Sequence, residues 1–274
     1  MTLRATVPDF PPLPAATVVE LSEFASLGRP ADLPAFLELA DARFGTALAV
    51  ASSLGAEDVV LIHALAERSL RGLRVPRIFT LDTGRLPEAT HELHEKLEAR
   101  YGLRIEVFFP NALSVESLVR RQGPTGFYSS LEARHACCAV RKLEPLVRAL
   151  DGVRAWVSGL RRVQSANRSD VELASHDGER VKLAPLAAWS DEEVWRAIET
   201  HRIPHSALHA AGYPSVGCAP CTRAVEPGAH PRSGRWWWEA PEHNECGLHV
   251  AGLRQLERER RAEVERAAGD TKIT

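Results

Sequence analysis

Two hydrophobic periods alternate along this chain. Short apolar runs have the length of buried parallel strands, and the segments between them repeat apolar residues at helical spacing. The predicted strands are Thr46–Ala51, Arg77–Leu81, Arg104–Phe109, Ala155–Ser158 and 181–186, and the predicted helices are 32–44, one from about Glu57, one from Pro87 to about Arg100, about 138–150, and 189–200. Because strands that alternate with helices pair in parallel through right-handed crossovers, the pattern predicts an α/β fold. We expect a mostly parallel sheet with helices on both faces and ligands at the carboxyl ends of the strands.

The two ends of the chain depart from this pattern. Residues 1–30 are rich in proline and are interpreted as an N-terminal extension, and residues 31–240 as the main domain. Residues 241–274 are interpreted as a mobile C-terminal segment with a charged helix over 253–268. No apolar run approaches the ~20 residues of a membrane helix. The N-terminus shows no secretion signal, so we expect a cytoplasmic protein without a membrane partner.

Overall charge argues against one class of partner. The 274 residues carry a formal net charge of −2, with 45% hydrophobic and 26% charged residues, which is ordinary for a globular protein. A general electrostatic attraction to nucleic acid is therefore not expected, although a local basic pocket remains possible.

Polar turns follow the first two predicted strands. The turn Ser52-Ser53-Leu54-Gly55 precedes a helix, so its N–H groups and hydroxyls can hold an oxyanion. An ordinary helix cap, with Glu57 and Asp58 complementing the helix dipole, is the alternative. The second turn, 81–85, offers Asp82 and Thr83 to a ribose or base edge and Arg85 to an anion, unless it is only a tight turn that requires Gly84. Together the two turns favour a nucleotide site.

Arginines cluster beside two of these features. Arg161, Arg162 and Arg168 follow the strand Ala155–Ser158, and Arg232 and Arg235 come shortly after a Cys-x-x-Cys motif. Guanidinium groups bind phosphate and sulfate oxygens in forks, whereas a single surface arginine is usually only solvated. Their positions favour anion binding. The run Trp236–Trp238 is interpreted mainly as packing, with part of it marking a contact surface.

Four of the five cysteines form two pairs, Cys137-Cys138 and Cys218-x-x-Cys221. A zinc site usually combines Cys-x-x-Cys with a second such motif or with a His pair. Adjacent helical side chains diverge by ~100°, so a tandem pair can ligate one compact group only at a strained or terminal position. The spacing favours an iron–sulfur cluster, with zinc and simple burial as alternatives. Lys142, one turn beyond Cys138, can offset the charge of the thiolates.

The fifth cysteine, Cys246, has no cysteine partner in its segment. Gly247 gives the backbone freedom, and His249 can orient or activate the thiol. An ordinary half-buried cysteine is the alternative. We interpret this solitary thiol, on a loop-like segment with charged neighbours, as a nucleophile.

The motifs SSLGAED, LDTGR, Cys-Cys with Cys-x-x-Cys, GLRRxQSxxR and ECGLH, in this order, resemble the assimilatory adenylyl-sulfate (APS) reductases of the APS/PAPS reductase family. The resemblance spans roughly residues 45–250, and it departs from the family pattern at Ala166-Asn167. It implies an adenine-nucleotide α-hydrolase-like fold and an oxidoreductase that converts APS to sulfite and AMP in sulfate assimilation and cysteine biosynthesis. It also implies one 4Fe–4S cluster and thioredoxin as reductant. We further expect a homo-oligomer.

The resemblance also carries roles onto individual residues. It implies cluster ligands at Cys137, Cys138, Cys218 and Cys221, and a catalytic group of Cys246, His249 and Lys142. The implied substrate-binding residues are Ser52, Ser53, Gly55, Asp58, Leu81, Asp82, Gly84, Arg161, Arg162, Arg168, Arg232 and Arg235.

Three other functions compete with APS reduction. Relatives that use PAPS, which carries an extra 3′-phosphate, generally lack the four cluster cysteines, so the resemblance favours APS. An ATP-using RNA-thiolating enzyme on the same fold is expected to have a turn richer in Gly and Ser and a basic RNA-binding module, and neither is evident. A non-catalytic zinc-binding module is the third alternative.

Overall fold

The computed structural model describes residues 21–177 and 180–240. The predicted helix 253–268 and the candidate residues Cys246 and His249 lie outside the described residues. The described helices are α1 Leu33–Phe44, α2 Ala56–Leu70, α3 Glu88–Tyr101, α4 Ala112–Gln122, α5 Leu131–Cys138, α6 Glu144–Ala149 and α7 Asp191–Thr200. The strands are β1 Leu48–Ser52, β2 Arg77–Leu81, β3 Ile105–Phe108, β4 Ala155–Val157, β5 Ala174–Asp177 and β6 Arg180–Leu183.

The six strands form one sheet in the order β3-β2-β1-β4-β6-β5. All neighbouring pairs are parallel except β5 with β6, so the predicted mostly parallel α/β sheet is confirmed. The chain proceeds outward from β1 to β3 and then returns to β4 on the other side of β1. The topological switch point therefore lies between β1 and β4, and ligands of open α/β sheets bind at such points.

Helices cover both faces of the sheet. On one face, strand residues such as Val50, Ile78 and Val157 share a buried core with side chains of α1, α2 and α7. On the other face, Phe79 and Trp156 pack against Leu146 and its neighbours on α6. Because both faces are covered, the central strands β1, β2 and β4 are mostly buried and apolar, and this is why they were predictable from the sequence.

Two described elements were not predicted. The edge strand β5 has the sequence Ala-Ser-His-Asp and lacks an apolar run, because it is half-exposed and pairs on one side with β6. Helix α4, which buries only Leu118, has apolar residues at helical spacing that the sequence analysis did not use. The helix predicted over about 138–150 starts earlier, as α5, and passes through a π-helical turn, Ala139–Leu143, into α6. In the described part of the chain, no helix has both the length and the apolar character needed to cross a membrane.

Candidate active site

A buried carboxylate closes the turn between β1 and α2. Asp58 is 7% exposed, and its Oδ2 accepts hydrogen bonds from the backbone N–H of Ser53 at 2.5 Å and from the Ser53 hydroxyl at 2.7 Å. The buried Ser52 hydroxyl accepts from the Leu54 amide at 3.1 Å. Leu54 has a φ of 58°, a left-handed conformation that costs a side-chain-bearing residue about 1 kcal/mol. Asp58 therefore holds a strained turn in place, and the exposed Ser53 is presented at the carboxyl end of β1.

The environment of Asp58 disfavours its charge. Burial raises the pKa of Asp58 to about 6, against hydrogen bonds from Ser53 that lower it, and the neighbouring charge of Glu57 adds to the rise. Between the ordinary pKa of 3.8 and this value, the folded chain keeps a proton that the unfolded chain has released. The free energy of unfolding therefore falls as the pH rises through this window, by about 3 kcal/mol in total.

Replacing Asp58 with asparagine is expected to remove this pH dependence, because an amide cannot ionise. The free energy of unfolding of the wild type minus that of the variant should fall by about 3 kcal/mol between pH 4 and pH 7. Urea denaturation at several pH values measures the difference. The exposed Asp170→Asn variant serves as the control and should show no such trend. A difference between wild type and Asp58→Asn that is constant with pH would show that the pKa of Asp58 is not raised in the folded chain.

The loop after β4 meets the same turn across the switch point. A Cβ at Gly159 would lie 2.4 Å from Asp58 Oδ1 and 2.8 Å from the Cβ of Glu57. Real Cβ atoms do not approach other atoms this closely, so the loop can contact the start of α2 only through a glycine. The glycine at this position thus brings the carboxyl ends of β1 and β4 together.

Replacing Gly159 with alanine is expected to lower the free energy of unfolding by about 1–3 kcal/mol, because the new methyl group forces the loop away from α2. Thermal or urea denaturation at pH 7 measures the loss. Gly55→Ala is the matched control on the same turn, since its Cβ would meet no atom nearer than 3.4 Å, at Ser53 Oγ, and its φ is −74°. Equal losses in the two variants would contradict the close-contact explanation.

The second turn, after β2, is organised by Asp82. Its Oδ1 accepts from the Gly84 amide at 2.7 Å, and its Oδ2 lies 3.0 Å from Nε2 of His91 on α3. Gly84 has a φ of 69°, which supports the alternative that this turn requires a glycine. Leu81 ends β2 and is half-buried. Both carboxylate oxygens of Asp82 thus have protein partners, which hold the turn at the same edge of the sheet as the Ser52–Gly55 turn.

Thr83 joins this turn to both cysteine segments. Its carbonyl accepts from Arg141 Nη1 at 2.6 Å, and its Oγ1 lies 3.3 Å from the sulfur of Cys218. The Ala219 amide donates to the Arg85 carbonyl at 2.8 Å. The carboxyl end of β2 therefore touches the Cys-x-x-Cys segment directly and the Cys-Cys segment through Arg141.

The four cysteines of the two pairs line one cavity. Cys138 is the last residue of α5, and the π-helical turn that follows puts the tandem pair at an irregular point of a continuous helix. The Cys218–Cys221 segment approaches from a loop and includes a short 3₁₀ turn, Ala219–Cys221. The lining residues are Arg85, Phe127, Arg134, Cys137, Cys138, Arg141, Lys142, Cys218, Pro220, Cys221, Arg235 and Trp236.

Burial in the cavity disfavours the charged form of two of its thiols, Cys137 and Cys221. Burial raises the pKa of Cys137, and it raises the pKa of Cys221 to about 12, with Cys218 adding to the rise. Lys142 and Arg235 act in the opposite direction on Cys221. A positively charged inorganic group would reverse this balance, because metal coordination deprotonates thiols.

Trp236, which the sequence indicated mainly as a packing residue, lines the cysteine cavity. The residue is 1% exposed, and the guanidinium groups of Arg235 and Arg134 lie 4.7 and 4.9 Å from its ring centroid. Among the described residues, Trp236 Nε1 and the Nε atoms of Arg235 and Arg141 are buried without a hydrogen-bond partner. Buried donors that line a thiol cavity suit an acceptor such as a thiolate or an inorganic sulfide.

A buried ion pair anchors this wall to α5. Arg134 donates to both carboxylate oxygens of Glu239, at 2.9 and 2.6 Å, and both side chains are buried. Burial lowers the pKa of Arg134, but the bonds to Glu239 and the proximity of Cys138 raise it more, so the guanidinium stays charged. Neither residue was predicted. The spacing of Arg134, Cys137 and Arg141 at intervals of three and four along a helix could have identified one cationic face.

The donor set fits an extended cluster better than a single ion. Over 21–177 and 180–240, no group of three or more His, Cys, Asp or Glu side chains could hold a metal ion. The thiols instead surround a cavity together with cationic side chains and unpartnered donors. A tetrahedral ion draws its ligands to one point, whereas a 4Fe–4S cluster takes one thiolate at each of its irons. The residues present thus fit the implied cluster.

The predicted arginines are distributed over different surroundings. Arg235 lines the cavity, and the guanidinium of the buried Arg232 lies 6.0 Å from the Trp236 ring centroid. Arg161 donates to Glu57 Oε1 from Nε and Nη2, at 2.9 and 2.7 Å, and to Asp191 at 2.5 Å. Its guanidinium therefore ties α2 to α7.

The other two arginines of this stretch also have protein acceptors. Arg162 donates to the Val171 carbonyl at 2.8 Å, and Arg168 donates to Gln164 Oε1 at 2.5 Å. Substrate binding by Arg161, Arg162 and Arg168 stays a prediction.

Comparisons with known proteins relate this chain to one family of reductases. The family described as phosphoadenosine phosphosulfate reductase domain matches residues 47–224. The adenosine 5′-phosphosulfate reductase of Allochromatium vinosum is 54% identical over 202 residues, which are 73% of this chain and 77% of that protein. The protein of the same name from Agrobacterium fabrum is 46% identical over 207 residues, covering 74% and 78%. The chloroplastic 5′-adenylylsulfate reductase 3 of Arabidopsis thaliana is 43% identical over 252 residues, covering 87% and 54%.

A solved structure shares the fold. The crystal structure of phosphoadenylyl-sulfate (PAPS) reductase from Candida auris, as a phosphate complex, aligns with a TM-score of 0.60 at 21% identity. The alignment covers 74% of this chain and 97% of that chain. The agreement confirms the predicted nucleotide α-hydrolase-like fold.

Proposed function

Because this chain belongs to the APS/PAPS reductase family, whose enzymes are oxidoreductases acting on sulfur, we propose that it reduces adenylyl sulfate to sulfite and AMP. The observation that carries the choice of APS over PAPS is the cavity lined by four cysteines beside the turn that follows β2. The resemblance to APS reductases implies four such cysteines, and relatives that use PAPS generally lack them. The product sulfite would enter sulfate assimilation and cysteine biosynthesis.

The four thiols would hold one 4Fe–4S cluster. Cys137, Cys138, Cys218 and Cys221 are the ligands in this proposal, and Lys142 and Arg235 would balance the charge of the thiolates. When bound, the cluster supplies an electrostatic and structural contribution beside the substrate site. The indole N–H of Trp236 is a further donor available to the sulfur atoms.

The substrate would lie along the carboxyl ends of β1, β2 and β4. The exposed Ser53 and the Gly55 amide would meet the nucleotide part, and Leu81, Asp82 and Gly84 form the neighbouring turn. Asp58 and Arg161 act in this proposal as positioning residues, since both are bonded to protein groups that shape the Ser52–Gly55 turn and the loop after β4. Cationic side chains offset the negative charge of the phosphosulfate.

The reaction would proceed in two steps, a transfer of the sulfonyl group to Cys246 and a release of sulfite by thioredoxin. The Cys246 thiolate attacks the sulfate sulfur, a sulfur–sulfur bond forms, and the bond to the phosphate oxygen breaks, so AMP leaves and an S-sulfocysteine remains. A thioredoxin thiolate then attacks the Cys246 sulfur, and sulfite leaves with the bonding electron pair. The second thioredoxin thiol resolves the mixed disulfide. Thioredoxin is thereby oxidised by two electrons, and the sulfate sulfur is reduced to sulfite. His249 would orient or activate the Cys246 thiol.

An anaerobic assay with reduced thioredoxin tests the proposal. Turnover of APS is expected to exceed that of PAPS by at least about 100-fold, because the extra 3′-phosphate would have to be accommodated by a site built without it. Sulfite release is measured for both substrates in the same preparation. Equal or faster turnover of PAPS would assign the chain to the other substrate class within the family. Absence of sulfite with both substrates would contradict reductase activity.

A further inference from the structure

A short 3₁₀ turn, Gly126–Tyr128, precedes α5, the helix that ends with Cys137 and Cys138. From this turn the Tyr128 hydroxyl donates to the carbonyl oxygen of Pro220 at 2.6 Å. Pro220 stands inside the Cys-x-x-Cys segment and lines the cysteine cavity. Tyr128 therefore connects the stretch that carries one cysteine pair with the segment that carries the other, although it is not itself one of the proposed ligands.

Aromatic contacts fix the ring that carries this hydroxyl. The ring centroid of Tyr128 lies 4.4 Å from that of Phe127 and 4.5 Å from that of Trp238, which it meets edge-on. Phe127 is buried and lines the cysteine cavity, whereas Tyr128 is 40% exposed and forms the outer side of this packing. Because its neighbours hold the ring, aiming the hydroxyl at the Pro220 carbonyl requires little further loss of side-chain entropy.

Other hydrogen bonds of the Cys-x-x-Cys segment lead to different parts of the fold. Its Ala219 amide donates to the Arg85 carbonyl at 2.8 Å, in the turn after β2. Its Cys221 carbonyl accepts from the Trp236 amide at 3.1 Å. Neither of these two bonds reaches the stretch that leads into α5. The bond from Tyr128 does, so it opposes a movement of the segment away from the tandem cysteine pair.

We propose that Tyr128 is a positioning residue of the four-cysteine site. Its hydroxyl holds the Cys-x-x-Cys segment toward the start of α5, and this slows the loss of whatever the four thiols bind. A buried metal site releases its metal when the segments that hold it open locally. Without the hydroxyl, that opening breaks one hydrogen bond fewer and is populated more often. The role in iron retention depends on the cluster proposed above, whereas the tether can be tested without it.

Tyr128→Phe is expected to lose iron to a chelator about fivefold faster than the wild type, because the ring stays and only the hydroxyl is removed. The full chain, purified without oxygen, is mixed with excess EDTA, and the decay of its visible absorption is followed. Tyr101→Phe is the matched control, since Tyr101 ends α3 and does not line the cysteine cavity. It should lose iron at the wild-type rate. Equal rates in Tyr128→Phe and the wild type would overturn the role in iron retention.

Thiol alkylation tests the tether in the full chain after its iron has been removed. The two cysteine pairs fall on separate tryptic peptides, so labelling by iodoacetamide can be followed at each pair by mass spectrometry. Tyr128→Phe should label Cys218 and Cys221 about fivefold faster than the wild type and leave the rate at Cys137 unchanged within about twofold. Tyr101→Phe should change neither rate.

The pattern of labelling separates positioning from general stability. Equal acceleration at both cysteine pairs in Tyr128→Phe would indicate a general loss of stability and would overturn the positioning role. Unchanged labelling of Cys218 and Cys221 would overturn the tether itself. A wild type that never holds iron, combined with faster labelling of Cys218 and Cys221 alone in Tyr128→Phe, would contradict the proposed cluster while supporting the tether.

Discussion

Replacing Cys246 with serine is expected to abolish sulfite release, with turnover lower by at least about a thousandfold. The proposed first transfer forms a sulfur–sulfur bond, and a hydroxyl at this position is a far weaker nucleophile that cannot form it. The loss should appear in turnover, because the turns after β1 and β2 that would bind the nucleotide are unchanged. The affinity for AMP should therefore match that of the wild type.

Isotope transfer separates the chemistry from binding. APS carrying labelled sulfur is incubated with the protein in the absence of thioredoxin, and the label is followed on the chain. The wild type should retain about one label per chain as S-sulfocysteine, released as sulfite by added thioredoxin, and the serine variant should retain none. Label on the Cys246→Ser chain would assign the nucleophile to another residue. An unlabelled wild type that nevertheless releases sulfite would exclude the covalent intermediate.

The sheet shows which parts of the fold were predictable. Strands β1, β2 and β4 are largely buried on both faces, so their apolar runs identified them, and Arg77–Leu81 was predicted with the bounds that the structure has. Strand β5 and helix α4 bury few side chains, and neither contains a continuous apolar run of the kind that identified the central strands. Burial, rather than intrinsic propensity, decided which elements the pattern could reveal.

The candidate site was also predictable only in part. Cysteine spacing indicated a shared group, and the structure places both pairs around one cavity. The bonds of Arg161 to Glu57 and Asp191 depend on the meeting of α2, α7 and the loop after β4, so an arginine count could not separate it from a substrate ligand. Trp236 and Glu239 are likewise defined by partners more than 90 positions away in the chain, such as Arg134. The residue types that carry the chemistry were predictable from the sequence, but the side chains that each of them contacts were not.

Replacing Cys218 with serine is expected to remove the iron from the protein and most of its activity. The wild type, purified without oxygen, should be brown and hold about four iron atoms and four sulfides per chain. Cys218 supplies one of four thiols around the cavity, and its sulfur also lies 3.3 Å from Thr83 Oγ1 at the end of β2. A missing ligand leaves one iron without a thiolate, and a hydroxyl is a poor substitute for it. Iron and sulfide analysis and the visible absorption spectrum measure the loss.

Cys246→Ser is the matched control for this experiment, because it makes the same atomic change at the fifth cysteine. That variant should keep the full iron content while losing sulfur transfer, whereas Cys218→Ser should lose the iron first and the activity in consequence. Full iron and sulfide in Cys218→Ser would remove this residue from the ligand set. A colourless wild type with one zinc per chain would contradict the cluster and would require the thiols around Trp236 to converge on a single ion, an arrangement that the described residues do not form.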